Sequence, residues 1–373
     1  MNKLNVINNL IGPRLKTSTS ILLVVMFSSL GFYLTYYTIS KNIVQYGCLP
    51  KTFNIKTADN YSFSLPVHSK LPIDTIRQKS YVSPAKEKDC SEIAFHQNPF
   101  FMLWVILICI TVAIAAGAFP FFIAQAYHLK KEFALSNKEV WLKGIIFALI
   151  ICFFLSSIEM ISVGFFQPYD LVDYFHILFR KGILLKDIVK TIILLILPGL
   201  VVMFLTGASS DKIYGNARFY VKDENYDSLK SIEKAAKRIK LLNGSLQSAL
   251  QILATVIVFS SLSANALGKT IKATVSVDGF DLYPSITSYI YGMFFSLFLC
   301  IIYLPNYYYL KNNYNRLKEL AADLKEADAT PAWYTSLFGE IKFEGNALEN
   351  IKMALTIIAP LLTSFLPNIE HLN

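Results

Sequence analysis

The stretch GIIFALIICFFLSSIEMISVGFF, residues 144–166, is apolar except for Ser156, Ser157, Glu159 and Ser162. A bilayer core about 30 Å thick is crossed by roughly 20 apolar residues in a helix. The stretch meets that length, so it reads as a membrane span with a carboxylate inside it. Five more stretches match the length: 19–40, 99–127, 189–208, 247–268 and 286–309. Of the 373 residues, 54% are hydrophobic and 16% charged, whereas a soluble chain carries about a quarter charged residues. The charges are also segregated into the segments between spans. The expected fold is therefore an all-α membrane protein, a polytopic bundle of six spans over residues 1–309, with a small extracytoplasmic loop at 41–97 and a helical tail at 310–373. The first span, which contains ILLVVMFSSLGFYLTYY, has a long apolar run with no small-x-small cleavage site after it. It reads as a retained span and not as a signal peptide.

The net charge of +9 invites a nucleic-acid reading, but its distribution argues for topology. Segment 1–19 carries Lys3, Arg14 and Lys16 and no acid. Segment 128–143 carries Lys130, Lys131, Lys138 and Lys143, and segment 208–246 carries eight Lys/Arg. The opposite short segments, 167–190 and 269–285, carry six together. The positive-inside rule then places the N-terminus in the cytoplasm, and six spans return the C-terminus there. The eight Lys/Arg of 41–97 lie in a loop about as long as those for which the rule fades. Aromatic belts fit this order, with Phe32, Tyr33, Tyr36, Tyr37, Phe100, Phe101 and Trp104 on the outer side and Tyr127, Trp141 and Tyr307 to Tyr309 on the inner side.

Cys109, Cys152 and Cys300 fall within spans, where a thiol behaves as a small apolar group. Cys48 and Cys90 fall in the outer loop, an oxidising location, and are expected to pair as a disulfide worth about 3–4 kcal/mol in the chain-entropy model. That loop is expected to hold two or three strands. YDLVDYFHILF in 167–190 reads as a short interfacial helix. LKNNYNRLKELAADLKEAD after span six has Leu310, Tyr314, Leu317, Ala321 and Leu324 in a 4-3-4-3 spacing. This seam either packs on the chain's own segments or pairs two subunits through 310–328. Pro331 in ATPAW reads as the first residue of a new helix capped by Thr330. MALTIIAPLLTSFLP at 353–367 is short for a span, which suggests an interfacial or re-entrant segment, with a seventh span as the alternative.

The segment DSLKSIEKAAKRIKLLNG carries Leu229, Ile232, Ala236 and Ile239 as an apolar stripe, with Lys230, Lys234, Lys237, Arg238 and Lys240 around it. It reads as a basic amphipathic helix that meets either anionic lipid at the cytoplasmic face or an acidic partner.

Chemistry-bearing residues are few. Glu159 shares one helix face with Ser156 and Ser162, a narrow polar stripe that should face other helices. Intramembrane acids often mark ion or proton paths. The plainer role is a protonated carboxyl that holds two helices together. In span five, Gln247, Gln251 and Thr255 form one line and Ser260, Ala264 and Gly268 another, the second suited to close helix approach. Pro120 and Pro198 should kink spans two and four. LGKT at 267–270 lacks the first P-loop glycine and the preceding strand. The five histidines have no zinc spacing, and Asp170, Asp173 and His176 are too spread on a helix to hold a cation well. No catalytic motif, metal site or cofactor motif emerges.

The expected function is an integral membrane protein, placed in a bacterial inner (plasma) membrane, that forms a pore or transport path for an ion or small solute. Glu159, Ser156, Ser162, Gln247, Gln251 and Thr255 are the expected path residues. The alternative is a membrane-anchored interaction protein, such as a sensor, scaffold or membrane-perturbing effector, acting through the basic helix and the tail.

Overall fold

The computed structural model describes residues 13–42, 47–49, 52–56, 62–69, 76–83, 86–93, 99–132, 183–222, 228–277, 285–323 and 347–365. In chain order the elements are α1 (Pro13–Asn42), β1 (Gly47–Leu49), β2 (Thr52–Lys56), β3 (Ser62–Ser69), β4 (Ile76–Ser83), β5 (Lys86–Ile93) and α2 (Pro99–Glu132). They continue with α3 (Ile183–Lys222), α4 (Ser228–Thr274), β6 (Val275–Val277), α5 (Ser285–Asp323) and α6 (Ala347–Phe365). The membrane part is helical. Five of the six described helices are long and apolar enough to cross a membrane, α6 being the shorter apolar exception. The expected span 144–166, with Glu159, Ser156 and Ser162, lies outside the described residues, as do the segment 167–182 and the turn at Thr330 and Pro331.

The strands gather at one end of the bundle, the cap end. β2 pairs with β3 and β3 with β6, all antiparallel, while β5 pairs with β1 and β4. β6 leaves α4 without a break, and its register (Val67 opposite Val277, Ser69 opposite Val275) fixes the cap end of α4 to the loop 41–97. That loop holds five strands where two or three were expected. β4, IRQKSYVS, contains the β-type run expected at Lys79–Ser83, whereas β5, KEKDCSEI, carries too few apolar residues to announce itself and is defined by pairing with β4 over eight positions. Cys48 stands opposite Glu92 and Cys90 opposite Lys79. The two cysteines are thus on adjacent strands but two positions out of direct opposition, and the register gives the expected disulfide no support.

Small residues set the helix contacts. A Cβ on Gly31 would stand 2.8 Å from the Ala116 Cβ, and one on Gly117 would collide with the Ser28 hydroxyl, so α1 and α2 touch nearly backbone to backbone. Gly199, beside Pro198, likewise makes room for the buried Phe122 ring of α2 against α3. Phe101 and Trp104, expected in an aromatic belt, are instead 2% and 1% exposed and pack ring on ring inside the bundle.

Three helices run far past a bilayer. α3, α4 and α5 have 40, 47 and 39 residues, about 60–70 Å at the helical rise, against a hydrocarbon core of about 30 Å. The basic helix and span five are one helix, α4, and span six and the start of the tail are another, α5. Beyond the membrane the three form a stalk at the end opposite the cap. Ile232, Ala236, Ile239 and Leu242 of α4 are fully buried there with Ile213 and Ala217 of α3 and with Leu310, Tyr314, Leu317 and Ala321 of α5. This changes two expectations. The apolar stripe of the basic helix faces α3 and α5, so it does not lie on a bilayer surface. The 4-3-4-3 seam is used within the chain at all four described positions. Lys234, Lys237 and Lys240 stay on the stalk surface, Arg238 is half-buried, and the Lys230 side chain lies outside the described set. One apolar core runs without a break from Ala115 in the membrane to Ala321 in the stalk.

Candidate functional site at the seam of α4, α5 and α6

The α6 sequence ALENIKMALTIIAPLLTSF carries Pro360 in its interior. Proline has no N–H, so the helix ladder loses a bond there and backbone groups become available to neighbours. The helix is anchored at four levels. Tyr303 Oη donates to Met353 Sδ at 2.7 Å, and the Leu361 N–H donates to Ser296 Oγ at 3.2 Å. A Cβ on Gly292 would lie 2.7 Å from Pro360 O and 2.6 Å from Ser364 Oγ. On the other side, Asn265 Nδ2 donates to Thr363 O at 3.4 Å. These pairs make α6 antiparallel to α5 and parallel to α4. It enters from the stalk end, and Ser364 reaches the level of Gly292, about 10 Å by helical rise below the start of α5. The segment expected to be interfacial or re-entrant therefore packs one face on α4 and α5, while Leu355, Ile358 and Leu362 stand exposed on its other face.

A cluster of neutral oxygens lies around the Pro360 turn of α6. Ser364 is 0%, Ser261 4%, Asn265 7% and Ser296 8% exposed. Thr363 Oγ1 donates to Pro360 O at 2.9 Å, and Ser364 Oγ to Leu361 O at 2.6 Å. Ser261 Oγ and Asn265 Oδ1 have no hydrogen-bond partner. A buried polar atom left unpaired costs about 1–3 kcal/mol, so two within one turn of one helix call for a donor or a cation. No carboxylate or ammonium belongs to the cluster, and no group of metal-ligating side chains exists among the described residues. The donors suit a monovalent cation, a water or a polar neutral solute, and they offer nothing for covalent chemistry.

Of the residues singled out in the sequence, Gln247 is half-buried, and Gln251 and Thr255 are exposed on the described bundle. Thr255 Oγ1 is satisfied within its own helix by Gln251 O at 2.8 Å. The structure does not bring these three to the oxygen cluster. Only Gln247 aligns with it: Gln247 and Asn265 are eighteen positions apart, five full turns of an α-helix, so they share one line along α4, with Ala254 and Val258 on that line between them. Ser261 and Gln251 flank that line. The sequence reading took SSLSANALG for helix-packing residues and missed Ser261 and Asn265, because their counterpart Thr363 is 98 positions away.

A second polar group, also unforeseen, joins α3 and α5 at the start of the stalk. Asp211 accepts from Tyr309 Oη and, at 3.2 Å, from Asn313 Nδ2, and Asn313 also reaches Ser210 Oγ at 3.0 Å. Asn313 is 1% exposed, and the Arg316 guanidinium lies 5.8 Å from the Tyr214 ring centre. The signal was present in TGASSD and NYYYLKNN, but reading 208–246 as a loop left Asp211 without a helical neighbour. Comparison with protein-family profiles, with curated proteins and with solved structures returns no match.

Proposed function

We propose that the protein forms a transport or pore path for an ion or small solute across a membrane, bordered by the polar side of α4 and by the proline-containing helix α6. The observation that carries the reading is the pair of buried, unpartnered oxygens, Ser261 Oγ and Asn265 Oδ1, set against the proline-containing apolar helix α6. A proline inside a helix leaves a backbone carbonyl without its usual donor, and carbonyls of that kind line ion sites in membrane transporters. Gln247 lies on the same line of α4 as Asn265, and the sequence reading adds Glu159, outside the described residues, as a carboxyl for the same path. The cap faces outward and the stalk inward. Over 209–222, 228–246 and 310–323 the stalk carries eleven Lys/Arg against four Asp/Glu, the sign expected of the cytoplasmic side. This fits residence in a bacterial inner membrane. A Cys48–Cys90 disulfide on the outer side belongs to the same proposal and needs a two-position adjustment of the β1–β5 register.

The test is cation flux from proteoliposomes under Na⁺, K⁺ and proton gradients. The wild type is expected to conduct, and Asn265→Ala and Glu159→Gln to lower flux about ten-fold, the scale of one lost polar contact, or to change its selectivity. Flux unaltered in both variants returns these residues to structural roles. No flux under any gradient overturns the path. A second reading, a membrane-anchored interaction protein, is favoured by one observation: α3, α4 and α5 leave the membrane unbroken as a packed, basic stalk suited to an acidic partner.

A further inference from the structure

Along the seam of α5 and α6, on the stalk side of the oxygen cluster, the two helices leave a groove of about 400 Å³ that opens to the outside of the bundle. It is lined from Cys300 to Lys311 on α5 and from Met353 to Ile358 on α6. By helical rise it is about 17 Å long. One end is at mid-membrane depth and the other at the start of the stalk.

The chemistry of the lining runs one way. At the deep end, Ile357 and Leu304 are apolar, and the Tyr303 hydroxyl is already taken by Met353 Sδ. The Tyr307 ring stacks on that of Tyr303 at 5.7 Å and closes the wall. Lys311 is the one charged side chain of the lining and stands at the stalk end. No carboxylate lies within one turn of Lys311 along α5 to neutralise it. A sugar or nucleotide placed in the groove would find no donor along its deep part, whereas a hydrocarbon chain needs none. A cation at the membrane boundary with an apolar trough leading inward matches an amphiphile with an anionic head.

We propose that this groove binds an anionic phospholipid of the cytoplasmic leaflet, its phosphate on Lys311 and one acyl chain along Tyr303, Met353 and Ile357. The orientation follows from that proposed above, with the stalk cytoplasmic, and the site stands apart from the transport reading. Because α6 forms one wall, the lipid also braces the helix that borders the oxygen cluster.

The experiment uses the full chain in detergent micelles and measures retention of fluorescent phosphatidylglycerol against fluorescent phosphatidylcholine with the same acyl chains. Phosphatidylglycerol is expected to be retained more tightly. Lys311→Gln should weaken it about five-fold, the scale of one basic residue at an anionic surface, and leave phosphatidylcholine unchanged. Ala354→Trp, at an exposed position on the groove wall, should fill the trough and reduce retention of both lipids. Added glycerol phosphate should not compete, since the head alone lacks the chain. Equal retention of the two lipids by the wild type overturns the headgroup assignment. Retention unchanged by Ala354→Trp, with the variant still folded by its thermal unfolding profile, overturns the groove.

Discussion

The seating of α6 against α5 depends on Gly292, and replacing that glycine by alanine is the most discriminating perturbation of the packing. A methyl group there would stand 2.7 Å from Pro360 O and 2.8 Å from Ser364 Cβ. Ordinary contact begins near 3.4 Å, so α6 must retreat by about 0.7 Å. The 3.2 Å bond from the Leu361 N–H to Ser296 Oγ then stretches to about 3.9 Å, which no longer counts as a hydrogen bond. Overpacking of this kind costs about 1–3 kcal/mol, and the lost bond adds about 1 kcal/mol. Gly215 and Gly244 provide the control, because a Cβ at either meets nothing within 4 Å and both are exposed on helices of the stalk. Alanine at those two sites should instead stabilise by about 0.5–1 kcal/mol through helix propensity. The assay is thermal unfolding of the three variants in detergent. The account requires opposite signs, with Gly292→Ala melting below the wild type and the other two at or above it. A Gly292→Ala variant as stable as Gly215→Ala would refute the placement of α6.

Two further substitutions probe the helix contacts. Asp211→Ala removes the acceptor for Tyr309 and Asn313 and should cost about 1–3 kcal/mol of unfolding free energy, while Asp211→Asn, which keeps an acceptor oxygen, should cost less in the same assay. Gly199→Ala sets a methyl group 2.5 Å from the buried Phe122 ring and should destabilise by about 1–3 kcal/mol; combining it with Phe122→Leu should recover part of that loss, and a strictly additive double variant would contradict the contact.

Hydropathy made the spans 19–40, 99–127, 189–208, 247–268 and 286–309 legible, since a run of about 20 apolar residues has few other uses. It could not show that α3, α4 and α5 continue as stalk helices. Their stalk halves bury narrow stripes such as Ile232, Ala236 and Ile239 under a charged surface, and such a stripe reads equally as a membrane-surface helix. Only the positions of Ile213 and Leu317 across from it decide the matter, and those are tertiary facts. The α6 segment failed a length criterion, although its neighbours supply the polar partners that a short helix with an internal proline needs. Ser261 and Asn265 were hidden for a related reason. Small and amide residues in a span read as packing until a distant partner shows which oxygens remain unpaired.

The central claim is that water and solute reach the seam between α4 and α6, and thiol accessibility measures this directly. In a background lacking the five native cysteines, Ser261→Cys and Thr363→Cys variants in sealed vesicles are treated with a small, positively charged, membrane-impermeant thiol reagent. Leu253→Cys, at a position 1% exposed in the apolar core, sets the rate for a dry site. The account predicts that the variants at 261 and 363 react at least about ten-fold faster than the one at 253, the scale of one polar contact. Equal, slow reaction at all three positions would contradict it and leave the seam a packed joint.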